Sequence, residues 1–293
     1  MRSLSRPAKL ALTVAVSLAS VGGMVHAQSV TNVIGIASAI LGDVRYTNNN
    51  VKKAAKMALR QRVLLGDLVQ TGKGSQLQML LLDRSTFSIG ANARIRIDRF
   101  VYDPARGRSI GATVAKGAFR FMSGRPNAGG NGASSINSPV ATIGIRGTIV
   151  EGVVGKAALQ IAADEVPNFK SLSSDAANAT LVVLRGPGAH SEGRLTPGFV
   201  SVSSSAGSVD LTQPMQASYV PRAGALPIGP FVISPKGLIK VEQEIFPAKY
   251  KGSGVWKGLL AAGALVAVPV LLGRDRTNCP PHSPQGDRKT PTC

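Results

Sequence analysis

Four aspartates stand at intervals along one stretch of this chain: Asp67, Asp83, Asp98 and Asp103. Carboxylates hold hard cations or polar ligands when several of them converge in space. Asp67, Asp83 and Asp103 each sit beside an expected turn. An aspartate in that position also accepts hydrogen bonds from nearby backbone N–H groups and simply builds the turn. Both roles stand open on the sequence, and the ligand role depends on convergence. A second candidate is Arg146, between Gly144 and Gly147 in the otherwise apolar run A-T-I-G-I-R-G-T of residues 141–148. A lone guanidinium there contacts an anion or a partner, or it donates to turn carbonyls or to an aspartate.

The residues of covalent or acid–base catalysis do not assemble. His26 lies in the N-terminal apolar segment, His282 in the tail, and His190 in a glycine-rich turn. No G-x-S-x-G, H-E-x-x-H or paired-cysteine pattern occurs. Cys279 and Cys293 both belong to the C-terminal tail. A disulfide between them ties only that tail, and the core has no thiolate metal site. Gly186-Pro187-Gly188 lacks the third glycine and the strand–turn–helix context of a dinucleotide loop. The expectation is a non-enzymatic protein with no cofactor and no metal.

The elements that must hold these residues are short strands. Apolar side chains alternate at Leu77, Met79 and Leu81, then Phe87 and Ile89, then Ile95 and Ile97. Alternation of period two marks half-buried β-strands. Glycines punctuate the stretch Gly66–Thr148, where a chain that turns back repeatedly needs corners. Earlier strands are expected at 36–40 and 42–46, and later ones at 181–184, 199–202 and 209–211. Residues 51–62 read as a basic surface loop with one helical turn at most. Residues 127–135 read as a flexible loop and 164–177 as a polar loop. Residues 237–246 suit one more strand or a short amphipathic helix.

The 293 residues carry a formal charge of +19, with 44% hydrophobic and only 4% aromatic residues. A core is therefore built mainly from aliphatic side chains. The positive balance favours anionic partners such as acidic envelope polymers. Nucleic acid is not expected, because no binding motif and no aromatic stacking platform accompanies the charge. Residues 1–27 have the basic start, apolar run and V-H-A end of a secretion signal. The alternative is a retained anchor helix. Residues 255–273 form an apolar run with Trp256 at its start and Pro269 within it. The run is near the lower length limit for a bilayer span and is expected to be a transmembrane helix. A buried strand or helix is the alternative. Residues 274–293 read as a disordered tail.

The motif run in Gly66–Thr148 closely resembles the FecR-like domain. The resemblance rests on Gly66-Asp67 with Thr71-Gly72, the Asp83–Gly90 segment, I-D-R-F-V-Y-D-P at 97–104, Gly117–Gly124, and A-T-I-G-I-R-G-T at 141–148. Where the family usually has a D-G-S turn, this chain has Asp83-Arg84-Ser85. The resemblance implies an all-β, twisted solenoid or sandwich-like domain in the periplasm, covering residues 28–155, with a β-rich continuation over 156–247. In the family's regulators this module receives a signal from an outer-membrane receptor and passes it to an anti-sigma segment. Here a secretion signal stands in that place, as expected of the stand-alone exported type.

The functional expectation is an exported cell-envelope module that binds a protein or an anionic envelope polymer, with signalling as one use. It is placed in the periplasm, attached to the inner membrane through 255–273 or soluble. The alternative is a periplasmic sensor of a small ligand or metal complex, held by the aspartates. Asp67, Asp83, Asp98, Asp103, Arg146, Gly144 and Gly147 are the structural or partner-contact candidates.

Overall fold

A computed structural model of the protein describes residues 32–103, 107–124, 133–187 and 198–247. Its first strands are β1 (Val33–Leu41), β2 (Val44–Thr47), β3 (Ala55–Lys56), β4 (Arg62–Leu64), β5 (Leu68–Thr71), β6 (Gln76–Leu81), β7 (Thr86–Ile89), β8 (Arg94–Asp103) and β9 (Gly107–Met122). There follow β10 (Ala133–Asn137), β11 (Thr142–Arg146), β12 (Thr148–Val154) and helix α1 (Lys156–Glu165). After a 3-10 turn at Phe169–Ser171 come β13 (Thr180–Pro187), β14 (Phe199–Ser204), β15 (Gly207–Leu211), β16 (Gln216–Val220), β17 (Ile228–Val232) and helix α2 (Pro235–Ile245).

The strands form two layers joined by one strand. One sheet runs β4-β1-β6-β7-β9-β12-β13-β16-β17. The other runs β3-β2-β5-β8-β9-β10-β11-β14-β15. Every pairing is antiparallel except β9 with β10. Neither sheet closes into a barrel. Strand β9 holds the middle of both orders. Its first part pairs with β8 and β10, and from Gly117 onward it pairs with β12 and then also β7. The crossing point is Gly117, with φ +91°. A Cβ there would meet the Ala93 Cβ at 2.4 Å, so both backbone angle and space call for glycine.

The inward residues of both sheets meet in one apolar layer. Leu77, Met79, Leu81, Phe87 and Ile89 of the first sheet face Ile95, Ile97, Ile110, Ile143 and Val202 of the second. The ring centroid of Phe87 lies 5.8 Å from that of Phe119 and 5.7 Å from that of Phe121. Each such side chain, fully buried, contributes about 1.5–3 kcal/mol. The expected alternation is thus the alternation of this core.

The first sheet has a second covering that the second sheet lacks. Helices α1 and α2 lie on its far face, where Ala158, Ile161, Ala162, Val241 and Ile245 pack with Leu181, Val183 and Tyr219. Strand β13 is consequently buried on both faces, which accounts for its unbroken apolar run Leu181–Leu184. We call this layer the covered sheet and the other the open sheet.

Helix α2 is fixed at both ends. Ser234 caps it by accepting from the Gly237 N–H at 3.0 Å, and Pro235 supplies a ready first-turn φ. The Ser234 N–H and hydroxyl donate to Glu165 of α1 at 2.7 and 2.6 Å. At the far end a Cβ on Gly90 would meet the Glu244 carbonyl oxygen at 2.0 Å. Only glycine lets the helix terminus approach the β7–β8 turn so closely.

Several local expectations change. Residues 51–62 contain β3 and the start of β4, and no helical turn is formed there. The register Arg45↔Lys56 recruits β3 to the sheet edge despite its helix-forming residues. Residues 164–177 begin inside α1, whose apolar stripe at 158, 161 and 162 is short and alanine-rich. Residues 133–135 belong to β10 rather than to a loop. Residues 237–246 take the helical alternative. Residues 1–27, 255–273 and 274–293 lie outside the described residues. Among the described residues no helix is long and apolar enough to cross a membrane.

Candidate functional site

The four aspartates do not form one site. Asp67 is buried in the β4–β5 turn. Its Oδ1 accepts from the Asn48 amide at 2.7 Å and its Oδ2 from the Leu64 N–H at 2.8 Å. Asp83 is buried in the β6–β7 turn, accepting from the Ser85 N–H at 3.0 Å and the Ser85 hydroxyl at 2.6 Å. Its Oδ2 also lies 3.1 Å from Nη1 of Arg108, itself buried. Asp98 is exposed on β8, paired with Arg96 and accepting from the Thr113 hydroxyl at 2.5 Å. Asp103 ends β8 opposite Gly107. Among the described residues no three metal-ligating side chains gather.

The Asp83-Arg84-Ser85 turn keeps a shape suited to glycine without having one. Arg84 adopts φ +65° with its side chain exposed. The contacts of Asp83 and Ser85 hold it there, and Ser85 Oγ further accepts from the Gly124 N–H at 3.0 Å. A Cβ on Gly124 would meet the Asp83 carbonyl oxygen at 2.1 Å. The turn and the end of β9 are therefore locked against one another.

Arg146 is exposed at the end of β11, its guanidinium 5.9 Å from the centroid of the Phe199 ring. Gly144 sits mid-strand between Ser135 and Ser201. Gly147, at φ +60°, makes the corner into β12. His190 lies outside the described residues.

A depression of about 440 Å³ lies beside Asp67, bordered by Tyr46, Asn48, Gln61, Arg62 and Leu64. Both carboxylate oxygens of Asp67 already accept hydrogen bonds there, one from Asn48 and one from the turn at Leu64.

The sequence reading missed a charge cluster beneath α2. Glu151 of β12 is fully buried on the helix side of the covered sheet. Its Oε1 accepts from Arg120 Nε at 2.7 Å and lies 3.5 Å from Arg185 Nε. Glu242 of α2 faces the same two arginines, at 3.3 Å from Arg120 and 3.1 Å from Arg185. The Arg120 guanidinium also stacks 4.6 Å from the Phe246 ring centroid. Burial pushes the Glu151 carboxyl above its ordinary range, against the pull of Arg120 and Arg185. Its Oε2 is buried without a hydrogen-bond partner among the described residues. The available signal was a single charge inside each of two apolar strands, T-I-V-E-G-V-V and L-V-V-L-R. The cluster is a clamp that holds α2.

The open sheet presents its charges differently. Cross-strand register places Lys56 beside Arg45, Arg45 beside Gln70, Gln70 beside Arg94, and Arg94 beside Lys116. All four cations are exposed. Arg45 pairs with Asp43 at 3.1 Å. Among the described residues Lys56, Arg94 and Lys116 have no carboxylate within ion-pair distance. The result is a band of positive charge across five neighbouring strands.

Residues 67–165 match the family model described as FecR protein. The match runs from the β4–β5 turn to the end of α1 and includes the motif segments noted above from Asp67 onward. No curated protein matches the chain. Two similar solved structures are each of a proposed anti-sigma factor from Parabacteroides distasonis. One is 12% identical, covering 54% of this chain and 57% of that one, with a TM-score of 0.36. The other is 14% identical, covering 54% of this chain and 56% of that one, with a TM-score of 0.35. The chain spans little more than half the length of these structures.

Proposed function

We propose that this chain, with its FecR segment at residues 67–165, is an exported, non-enzymatic regulatory module of the cell envelope. It binds an envelope protein or an anionic envelope polymer through the outward face of its open sheet, and signalling is the use to which such binding is put. The observation that carries this reading is the exposed cationic band through Arg94 and Lys116. Charge held on a rigid sheet and left unpaired attracts an anionic partner without further reorganisation. Buried Asp67, Asp83 and Glu151, by contrast, are all engaged in internal contacts. The sensor alternative has less support, since of the aspartates it needs Asp67 and Asp83 stand in separate turns and Asp98 and Asp103 on strand β8.

Residues 1–27 serve as the export signal, and residues 255–273 tether the module to the inner membrane. The test is fractionation of cells expressing the chain with a C-terminal tag, with protease added to spheroplasts. Cleavage of the body with protection of the tag is the expected result. Full protection of the body places it in the cytoplasm and ends the envelope reading. Release of intact protein with the soluble periplasm removes the tether alone. Pull-down from envelope extracts is expected to weaken at high salt.

A further inference from the structure

Next to the cationic band the same face carries rows of hydroxyls and amides in register. Thr113 lies beside Asn137, Asn137 beside Thr142, Thr142 beside Ser203, and Ser203 beside Ser208. The next row runs Gly111, Ser135, Gly144, Ser201 and ends at the sheet edge on exposed Asp210. Its two glycines keep the surface low, and Arg99 lies across Gly111 with Nη2 3.4 Å from the Ser135 hydroxyl. Among the described residues no helix packs on this face. Neighbouring strands are about 4.8 Å apart, so each row sets polar groups at even steps across the sheet.

We propose that this face binds a linear acidic glycan laid across the strands of the open sheet. Arg94, Lys116 and Lys56 meet its carboxylates or phosphates. Asn137, Thr142, Ser203 and Ser208 exchange hydrogen bonds with its hydroxyls. The proposal deepens the envelope reading above and rests on it. Charge complementarity selects a polyanion, and the hydroxyl rows select one rich in hydroxyls. Nucleic acid is disfavoured because such a face needs aromatic platforms for bases. Of the outward residues named here only Phe199 is aromatic, and it lies beneath Arg146. A lipid surface calls for exposed apolar anchors, which the two polar rows do not supply. A protein strand would add to a sheet edge rather than lie over a sheet face.

The full chain is titrated with sodium polygalacturonate, and separately with neutral dextran, polyglutamate, a single-stranded oligonucleotide and phosphatidylglycerol vesicles. Polygalacturonate is expected to bind more tightly than each of the others. The double variant R94E/K116E is expected to lose about tenfold or more in affinity for it. The double variant T142V/S203A is expected to lose about threefold for polygalacturonate and nothing for polyglutamate. Circular dichroism confirms that both variants keep the fold. The proposal is overturned if polyglutamate, the oligonucleotide or the vesicles bind as tightly, if R94E/K116E changes nothing, or if polygalacturonate does not bind. Persistence of the envelope pull-down in those cases leaves the envelope reading standing and removes only the glycan.

Discussion

The two sheets use the same residue types in opposite ways. On the far face of the covered sheet, Arg120 and Arg185 stand over a strand surface, as Arg94 and Lys116 do on the open sheet. The first pair is closed in by Glu151, Glu242 and helix α2. The second pair meets water. Even β9 is divided in this way, since it carries Lys116 before the crossing at Gly117 and Arg120 after it. Covered charge acts as an internal fastening, because its desolvation cost is offset only by opposite charge at short range. Uncovered charge adds little to stability and stays available to a partner.

Substitution at the two kinds of position separates these roles. Asp83→Ala leaves Arg108 buried without its carboxylate and should cost about 3–5 kcal/mol in urea unfolding. Loss of less than about 1 kcal/mol would show that the turn tolerates a lone guanidinium and would blur the distinction. Glu151→Gln should cost less than about 1 kcal/mol at neutral pH, since it keeps a hydrogen-bond acceptor beneath the arginines, Glu242 still faces both of them, and burial disfavours the charge that is removed.

The pH dependence sharpens the second case. The native Glu151 carboxyl takes up its proton at higher pH than the unfolded chain does, where the ordinary value is 4.5. The native state then binds more protons in that interval, so wild-type stability rises as pH falls through the raised native value and levels off below 4.5. Unfolding measured at a series of pH values should therefore show the wild type gaining on Glu151→Gln toward acid. A constant gap would mean that Glu151 titrates alike in both states.

Arg84→Gly restores the residue suited to φ > 0 and should stabilise the β6–β7 turn by about 0.5–1 kcal/mol, as read from the unfolding midpoint. At the exposed positions, R94A/K116A should change stability by under about 0.5 kcal/mol. A larger loss would mean that the cationic band is structural after all.

The strands of the core were legible because period-two alternation survives wherever only one face of a sheet is buried, as at Leu77, Met79 and Leu81. It fades where helices cover the second face. The run Leu181–Leu184 marks a strand but does not say what lies over it, and α1 was lost in a sequence whose apolar stripe is mostly alanine. The turn roles of Asp67 and Asp83 could be read from their neighbours. The Glu151 clamp could not, since sheet register brings Arg120 and Arg185 to it from β9 and β13, and the packing of helix α2 brings Glu242. Arg84 shows the limit of local rules, because contacts from Arg108 and Gly124 hold a conformation that its own side chain disfavours.

Strand β9, finally, makes the two layers mechanically inseparable. In a sandwich of independent sheets one layer can peel away while the other persists. Here peeling either layer tears the ladder of a strand that is central to both. Loss of the structure should then be a single concerted event. Formation must wait until segments far apart in the chain have found the same strand, which makes for slow folding. The arrangement also gives a load applied to the outward face of the open sheet a covalent route into the covered sheet, and through it to helix α2, without any sliding between layers.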